Sequence, residues 1–228
     1  MPYPMEETCK KLRIFIGTDR YMYKAEKVLE YSIRKHASLP VEITWMRAGD
    51  PEWQWAGVPE KPYDSSELWA TPFTCFRFAI PELAGFDGYA IYNDVDQCYL
   101  EDPAKLLALG RRGKWLSWGM RDDVSVVDCG AFKDKDWWPS LAEMKSSQHR
   151  IYDYRKLIED HDLADRSLPR FWNQCDDYAT GQTCLLHWTN MRTQPWKPFP
   201  NAFNYPDKHP NPDVQRIWDE YEAEYLGS

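Results

Sequence analysis

Asp94-Val95-Asp96 puts two carboxylates one residue apart at the end of an apolar run, Gly88-Tyr89-Ala90-Ile91-Tyr92. Such a run reads as a buried strand. Ligands of open α/β sheets gather outside the C-terminal strand ends. Two carboxylates there offer hard oxygens suited to Mg2+ or Mn2+. An ion held in that way can bridge a diphosphate and stabilise it as a leaving group. The same residues also suit a turn with two solvated aspartates, because turns favour Asp. A second apolar run, Cys184-Leu185-Leu186-His187-Trp188, carries His187 near its end. A lone His in that setting is more often a satisfied structural residue, but a neutral imidazole could complete the metal site.

Positioning these groups requires a sheet. Residues 12–17, Leu-Arg-Ile-Phe-Ile-Gly, predict a first buried strand. Ala25, Val28, Leu29 and Ile33 recur at helical spacing, which predicts a helix over 23–36 that Pro40 closes. Residues 41–46 have the β-branched character of a second strand. This β-α-β order predicts an α/β fold: one Rossmann-like domain over 1–228, with a mixed, mainly parallel sheet flanked by helices. Residues 48–66 read as a long loop, followed by a helix over 72–83. Asp102 and Pro103 open another helix as N-cap and first residue. Short strands are expected at 114–118 and 124–127, helices at 137–145 and 154–161, a late strand at 184–188, and a solvent-facing helix over 213–225.

The chain has 228 residues and a formal charge of −8, which disfavours nucleic acid as a partner. No stretch approaches the ~20 apolar residues of a membrane span. The first eleven residues are polar and lack the apolar core of a signal peptide. The six cysteines form no Cys-x-x-Cys pair, so they are expected to be free and reduced, and the protein cytoplasmic. Twelve tryptophans serve either as core or as platforms for sugar rings.

Several segments, in order, resemble the GT-A glycosyltransferases of the glycogenin and bacterial lipopolysaccharide galactosyltransferase type, and small bacterial and phage glycosyltransferase-like proteins. They are Ile14-Phe15-Ile16-Gly17-Thr18-Asp19, then Thr74-Cys75-Phe76-Arg77-Phe78-Ala79-Ile80-Pro81, then residues 88–100. Leu168-Pro169-Arg170-Phe171-Trp172-Asn173 and Leu186-His187-Trp188-Thr189 with Pro195-Trp196 follow. The resemblance implies that Thr18 and Asp19 hold the nucleotide, and that Arg77 contacts the donor or forms a structural ion pair. It implies that Asp94, Asp96 and His187 hold Mn2+ (or Mg2+), and that Trp172 and Asn173 lie on the acceptor side. Three departures stand out. The Gly and Lys expected after the His are replaced by a segment in which Arg192 or Gln194 could serve the diphosphate. The Asn-Ala-Gly before a strand becomes a segment in which Asp122 and Asp123 face the donor sugar or form a solvated turn. The Asp-Gln-Asp element is not seen between Ser146 and Leu168.

The implied function is a retaining, metal-dependent glycosyltransferase that moves a sugar from a nucleotide-sugar, UDP-sugar by resemblance, to a glycan or other hydroxyl acceptor. The alternatives are a non-catalytic carbohydrate-binding protein on the same fold and a sugar-nucleotide pyrophosphorylase. The latter would carry a Gly-rich phosphate loop where this chain has Gly17-Thr18-Asp19-Arg20-Tyr21. Loop 48–66 and segment 137–173, with Trp53, Trp55, Trp69, Trp137, Trp138 and Trp172, are expected to build the acceptor side or to cap the core.

Overall fold

A computed structural model describes residues 11–59 and 71–227. In chain order its strands are β1 (Leu12–Asp19), β2 (Val41–Ala48), β3 (Tyr89–Asp94), β4 (Gln97–Tyr99), β5 (Trp115–Trp118), β6 (Arg121–Asp128), β7 (Ala164–Asp165), β8 (Gln174–Cys175) and β9 (Leu185–His187). Its α-helices are α1 (Tyr23–His36), α2 (Ile80–Leu83), α3 (Pro103–Leu107), α4 (Leu141–Ser146), α5 (Ile151–Asp160) and α6 (Pro212–Gly227). The chain divides into two compact units. The first comprises residues 1–20, 39–94 and 106–168; the second comprises 21–38, 95–105 and 169–228.

The first unit is a six-stranded sheet in the order β2-β1-β3-β6-β5-β7. β1 pairs in parallel with both β2 and β3, and β5 with β7, while β6 runs antiparallel between β3 and β5. β1 is buried along nearly its whole length. That is why it reads as a continuous apolar run rather than an alternating one. Aromatic rings fill the space against the sheet. Phe78 stacks on Tyr154 at 4.5 Å, and Phe132 meets Trp138 at 4.5 Å. Trp53 and Trp55 both pack on Phe76.

The second unit carries a three-stranded sheet, β4-β9-β8. β9 is central, antiparallel to β4 and parallel to β8. α1 is tied to β4 by the Tyr99 amide, which donates to Ser32 Oγ at 3.0 Å. α1 also meets α6, where His36 Nε2 lies 2.7 Å from the Tyr221 hydroxyl. Trp188, Trp196 and Trp218 form a triangle of rings whose centres are 4.9–5.9 Å apart.

Several elements differ from the sequence expectation. The helix expected over 72–83 is a 3-10 segment, Thr74–Ala79, with only one α-turn after it. The helix expected over 137–145 begins at Leu141, because Pro139 precedes a Ser140–Glu143 capping box that fixes the start. α6 is half-buried rather than solvent-facing, through Val214, Ile217, Trp218 and Tyr221. Asp122 and Asp123 are not in a solvated turn: they lie in β6, 2% and 8% exposed. β4, β7 and β8 were not expected. Trp53, Trp55, Trp138 and Trp172 are buried, in keeping with the capping role, and Trp69 lies outside the described residues.

Candidate functional site

In the first unit, the parallel register aligns Gly17 of β1 with Asp94 of β3. Thr18 and Asp19, the last two residues of β1, are buried at this strand end. Tyr92 and Asp94 sit two apart on β3 and so share a face. The Tyr92 hydroxyl donates to Asp94 Oδ1, and Arg77 Nη2 donates to the same oxygen at 2.9 Å. Arg77 Nε donates to the Thr74 carbonyl at 2.7 Å, and the guanidinium lies 4.5 Å from the centre of the Tyr92 ring. Arg77 is 3% exposed. Burial alone would lower its pKa, but the Asp94 carboxylate outweighs this and the net shift is upward, so the guanidinium stays charged. Of the two roles the sequence leaves open for Arg77, the ion pair is present.

Space at this strand end is tight. A Cβ on Gly17 would lie 2.8 Å from Phe73 Cδ2 and closer still to the Tyr92 hydroxyl. Gly17 therefore lets the Tyr92 ring pass over β1 and reach Asp94.

On β6, Asp122 and Asp123 are neighbours and point to opposite faces. Asp122 Oδ2 accepts from Arg155 Nε of α5 at 2.7 Å. Its Oδ1 lies 3.4 Å from Arg166 Nη1, which also reaches Ser117 Oγ at 2.9 Å. Asp123 Oδ2 accepts twice from Arg121, at 3.0 and 2.7 Å.

In the second unit, the β4–β9 register sets Gln97 opposite His187, and the β8–β9 register sets Cys175 beside it. The Trp188 amide donates to the Asp96 carbonyl at 2.9 Å, holding residue 96 at the edge of β9. His187 Nε2 then faces Asp96 Oδ1 at 3.1 Å, and Nδ1 faces Asn173 Oδ1 at 2.8 Å. Gln194 Nε2 donates to Asp96 Oδ2 at 3.1 Å and to the Trp188 carbonyl at 2.9 Å. Asn173, His187 and Gln194 are each no more than 2% exposed. Trp172 is buried beside Tyr99, and Arg192 is exposed with its guanidinium 5.0 Å from the Phe203 ring.

The sequence reading singled out His187 and Asp96 but not Gln97 or Asp176. Gln97 Nε2 lies 3.4 Å from His187 Nδ1, and Asp176 Oδ2 accepts from the Thr189 hydroxyl. Only adjacency to Asp96 and Asn173 could have drawn attention to them.

No family model matches the chain. Protein CDI of Arabidopsis thaliana is 34% identical over 230 residues, which cover 83% of this chain and 84% of that protein. Among solved structures, the apo form of the glycosyltransferase GlyE from Streptococcus pneumoniae TIGR4 superposes with a TM-score of 0.62 at 14% identity. That match covers 96% of this chain and 63% of GlyE, so the chain spans less than two thirds of GlyE's length. The galactosyltransferase LgtC, in complex with donor and acceptor sugar analogs, gives a TM-score of 0.56 at 12% identity, over 94% of this chain and 95% of LgtC. The bifunctional glycosyltransferase WbbM gives 0.58 at 12% identity, over 95% of this chain and 52% of WbbM. The fold is that of the GT-A glycosyltransferases.

Proposed function

The chain belongs to the family of Protein CDI, and from that premise we propose that it is a metal-dependent glycosyltransferase. It moves a sugar from a nucleotide-sugar, of the UDP-sugar class, to a hydroxyl acceptor with retention of configuration. The observation that carries this reading is the contact between His187 Nε2 and Asp96 Oδ1. His187 Nδ1 stands 2.8 Å from Asn173 Oδ1, so with that oxygen as acceptor the Nδ1–H tautomer would turn the Nε2 lone pair toward a carboxylate oxygen 3.1 Å away. In that tautomer the two acceptors would be bridged by a cation. Two donors bound at right angles to one ion at about 2.1 Å stand about 3 Å apart, which matches the contact. Asp94, at the preceding strand end, supplies a second carboxylate, and the donor set of two carboxylates and one imidazole suits Mn2+ or Mg2+.

A divalent ion held by Asp94, Asp96 and His187 would counter the charge of the departing nucleoside diphosphate. The protein's own residues do the remainder. Thr18 and Asp19 at the end of β1 hold the nucleotide. Arg77 fixes Asp94 through its pair with Oδ1. Arg192, exposed after β9, supplies positive charge for the diphosphate. Asp123, near the start of β6, faces the donor sugar, while Asp122 anchors β6 to α5 through Arg155. Because the described cysteines are free, the reading places the protein in a reducing compartment such as the cytoplasm.

The test is a donor screen that follows nucleoside diphosphate release with and without Mn2+. Release that needs Mn2+ and is lost in Asp96→Ala supports the reading. Saccharide binding without turnover of any donor would favour a carbohydrate-binding protein on this fold.

A further inference from the structure

We infer that Asn173 and Gln194 are positioning residues for the metal site, acting through His187 and Asp96 respectively; this rests on the metal reading above. Asn173 is fully buried beside β8, and its Oδ1 lies 2.8 Å from His187 Nδ1. We assign Oδ1 as the acceptor of the Nδ1 proton; the Cys175 thiol lies 3.7 Å from the same atom and 3.4 Å from the Asn173 carbonyl. An acceptor at that distance keeps the proton on Nδ1. Nε2 is thereby left as the unprotonated nitrogen, the form a metal requires. Gln97 Nε2, at 3.4 Å from Nδ1, is the longer and weaker contact.

Gln194 does the corresponding work on Asp96. Its Nε2 sits between two acceptors, Asp96 Oδ2 at 3.1 Å and the Trp188 carbonyl at 2.9 Å. Flipping the amide would set three acceptor oxygens against one another, so the NH2 group must occupy this place. The orientation leaves Gln194 Oε1 buried with no partner among the described residues. The amide accepts that cost to hold the carboxylate. Asp96 Oδ2 is thus engaged by Gln194, and Oδ1 is presented beside His187 Nε2. Neither Asn173 nor Gln194 needs to touch the ion.

Outer-shell partners of this kind change metal affinity by about 10- to 100-fold. Mn2+ is titrated into the full chain and followed by electron paramagnetic resonance. Asn173→Leu and Gln194→Met should bind it 10- to 100-fold more weakly. Asn173→Asp, which keeps the acceptor, should bind at least as tightly as the parent. Heteronuclear NMR at pH 8 should show the Nδ1–H tautomer of His187 in the parent and its loss in Asn173→Leu, a change that a purely structural role would not cause. Parent-like affinity in Asn173→Leu and Gln194→Met, with Asp96→Ala unable to bind, overturns the inference and leaves the metal reading intact. If the parent binds no Mn2+, the metal reading fails, and an unchanged His187 tautomer in Asn173→Leu overturns the orienting role as well. If Asn173→Leu does not fold, Asn173→Asp and Gln194→Met carry the comparison.

Discussion

Arg77 Nη2 and Asp94 Oδ1 meet at 2.9 Å, with the Arg77 side chain 4% exposed and the Asp94 side chain 14% exposed. This pair joins the segment before α2 to the final residue of β3. Removing one partner from a buried pair strands the other charge, at a cost of roughly 3–5 kcal/mol. Arg77→Met should therefore unfold at lower denaturant by about that amount, whereas Arg77→Met with Asp94→Asn should recover part of it. Chemical denaturation of the two variants measures this. A double variant no more stable than the single one would show that the pair is not coupled.

Gly17 lies where β1 passes the Tyr92 ring, and a Cβ there would lie 2.8 Å from Phe73 Cδ2. Overpacking of this kind costs roughly 1–3 kcal/mol. Gly17→Ala should lower stability by that amount, and it should also pull the Tyr92 hydroxyl off Asp94. A Gly17→Ala, Tyr92→Phe double variant should regain stability, because the atom crowded most is gone. Thermal melts of the three proteins decide the matter.

The strands that frame this strand end were legible because β1 and β3 each carry four apolar residues in a row, Ile14-Phe15-Ile16-Gly17 and Tyr89-Ala90-Ile91-Tyr92. β4, β7 and β8 have two or three residues each, too few for any alternation to show. Asp122 and Asp123 argued for a turn by residue type. What places them in β6 is pairing with β3 and β5, and arginines 33 and 44 residues away that neutralise Asp122. Asp94, Asp96 and His187 stood out by spacing and order. The partners of His187 and Asp96 did not, since Asn173 and Gln194 meet them only through short-strand pairing and a turn.

The buried thiols should be unreactive in the native protein. Burial raises Cys75 and Cys98 well above the usual thiol range, and pushes Cys129 up to about 12. At pH 8 almost none of each is thiolate, the reactive form. Maleimide labelling of the native protein, read by peptide mass spectrometry, should spare these three, and labelling in denaturant should reach all of them. Rapid native labelling of Cys98 would contradict its burial beneath α1.

His36 and Tyr221 give a pH dependence. Burial, aided by Lys35, lowers the His36 pKa from 6.5, and burial raises that of Tyr221. Tyr221 is therefore the donor and His36 Nε2 the neutral acceptor, at 2.7 Å. A base whose folded pKa is depressed costs more to protonate in the folded state than in the unfolded one. Its contribution is fully present above the unfolded pKa of 6.5, and it is lost as pH falls from there through the folded value. The parent should lose more stability between pH 7 and 5 than His36→Gln does, measured by denaturant melts at each pH. Equal slopes would remove His36 from the acid response.

Metal binding should itself stabilise the fold. A ligand that binds only the native state adds about 2.7 kcal/mol when present at one hundred times its dissociation constant. Mn2+ in that excess should raise the melting temperature of the parent by several degrees. The size of the rise should depend on the metal concentration, and chelation should reverse it. Asp96→Asn and His187→Phe each remove a donor from the 3.1 Å pair, so the rise should vanish in both. In the absence of metal the two variants should diverge. Asp96→Asn relieves the contact between the carboxylate and the imidazole lone pair, so it should melt at or above the parent. His187→Phe leaves Asn173 Oδ1, fully buried, without its nitrogen partner, so it should melt below. A metal-free Asp96→Asn that is clearly less stable than the parent would mean that His187 is protonated in the native state, its Nε2–H donating to Asp96. The pair would then be an ion pair that needs no metal.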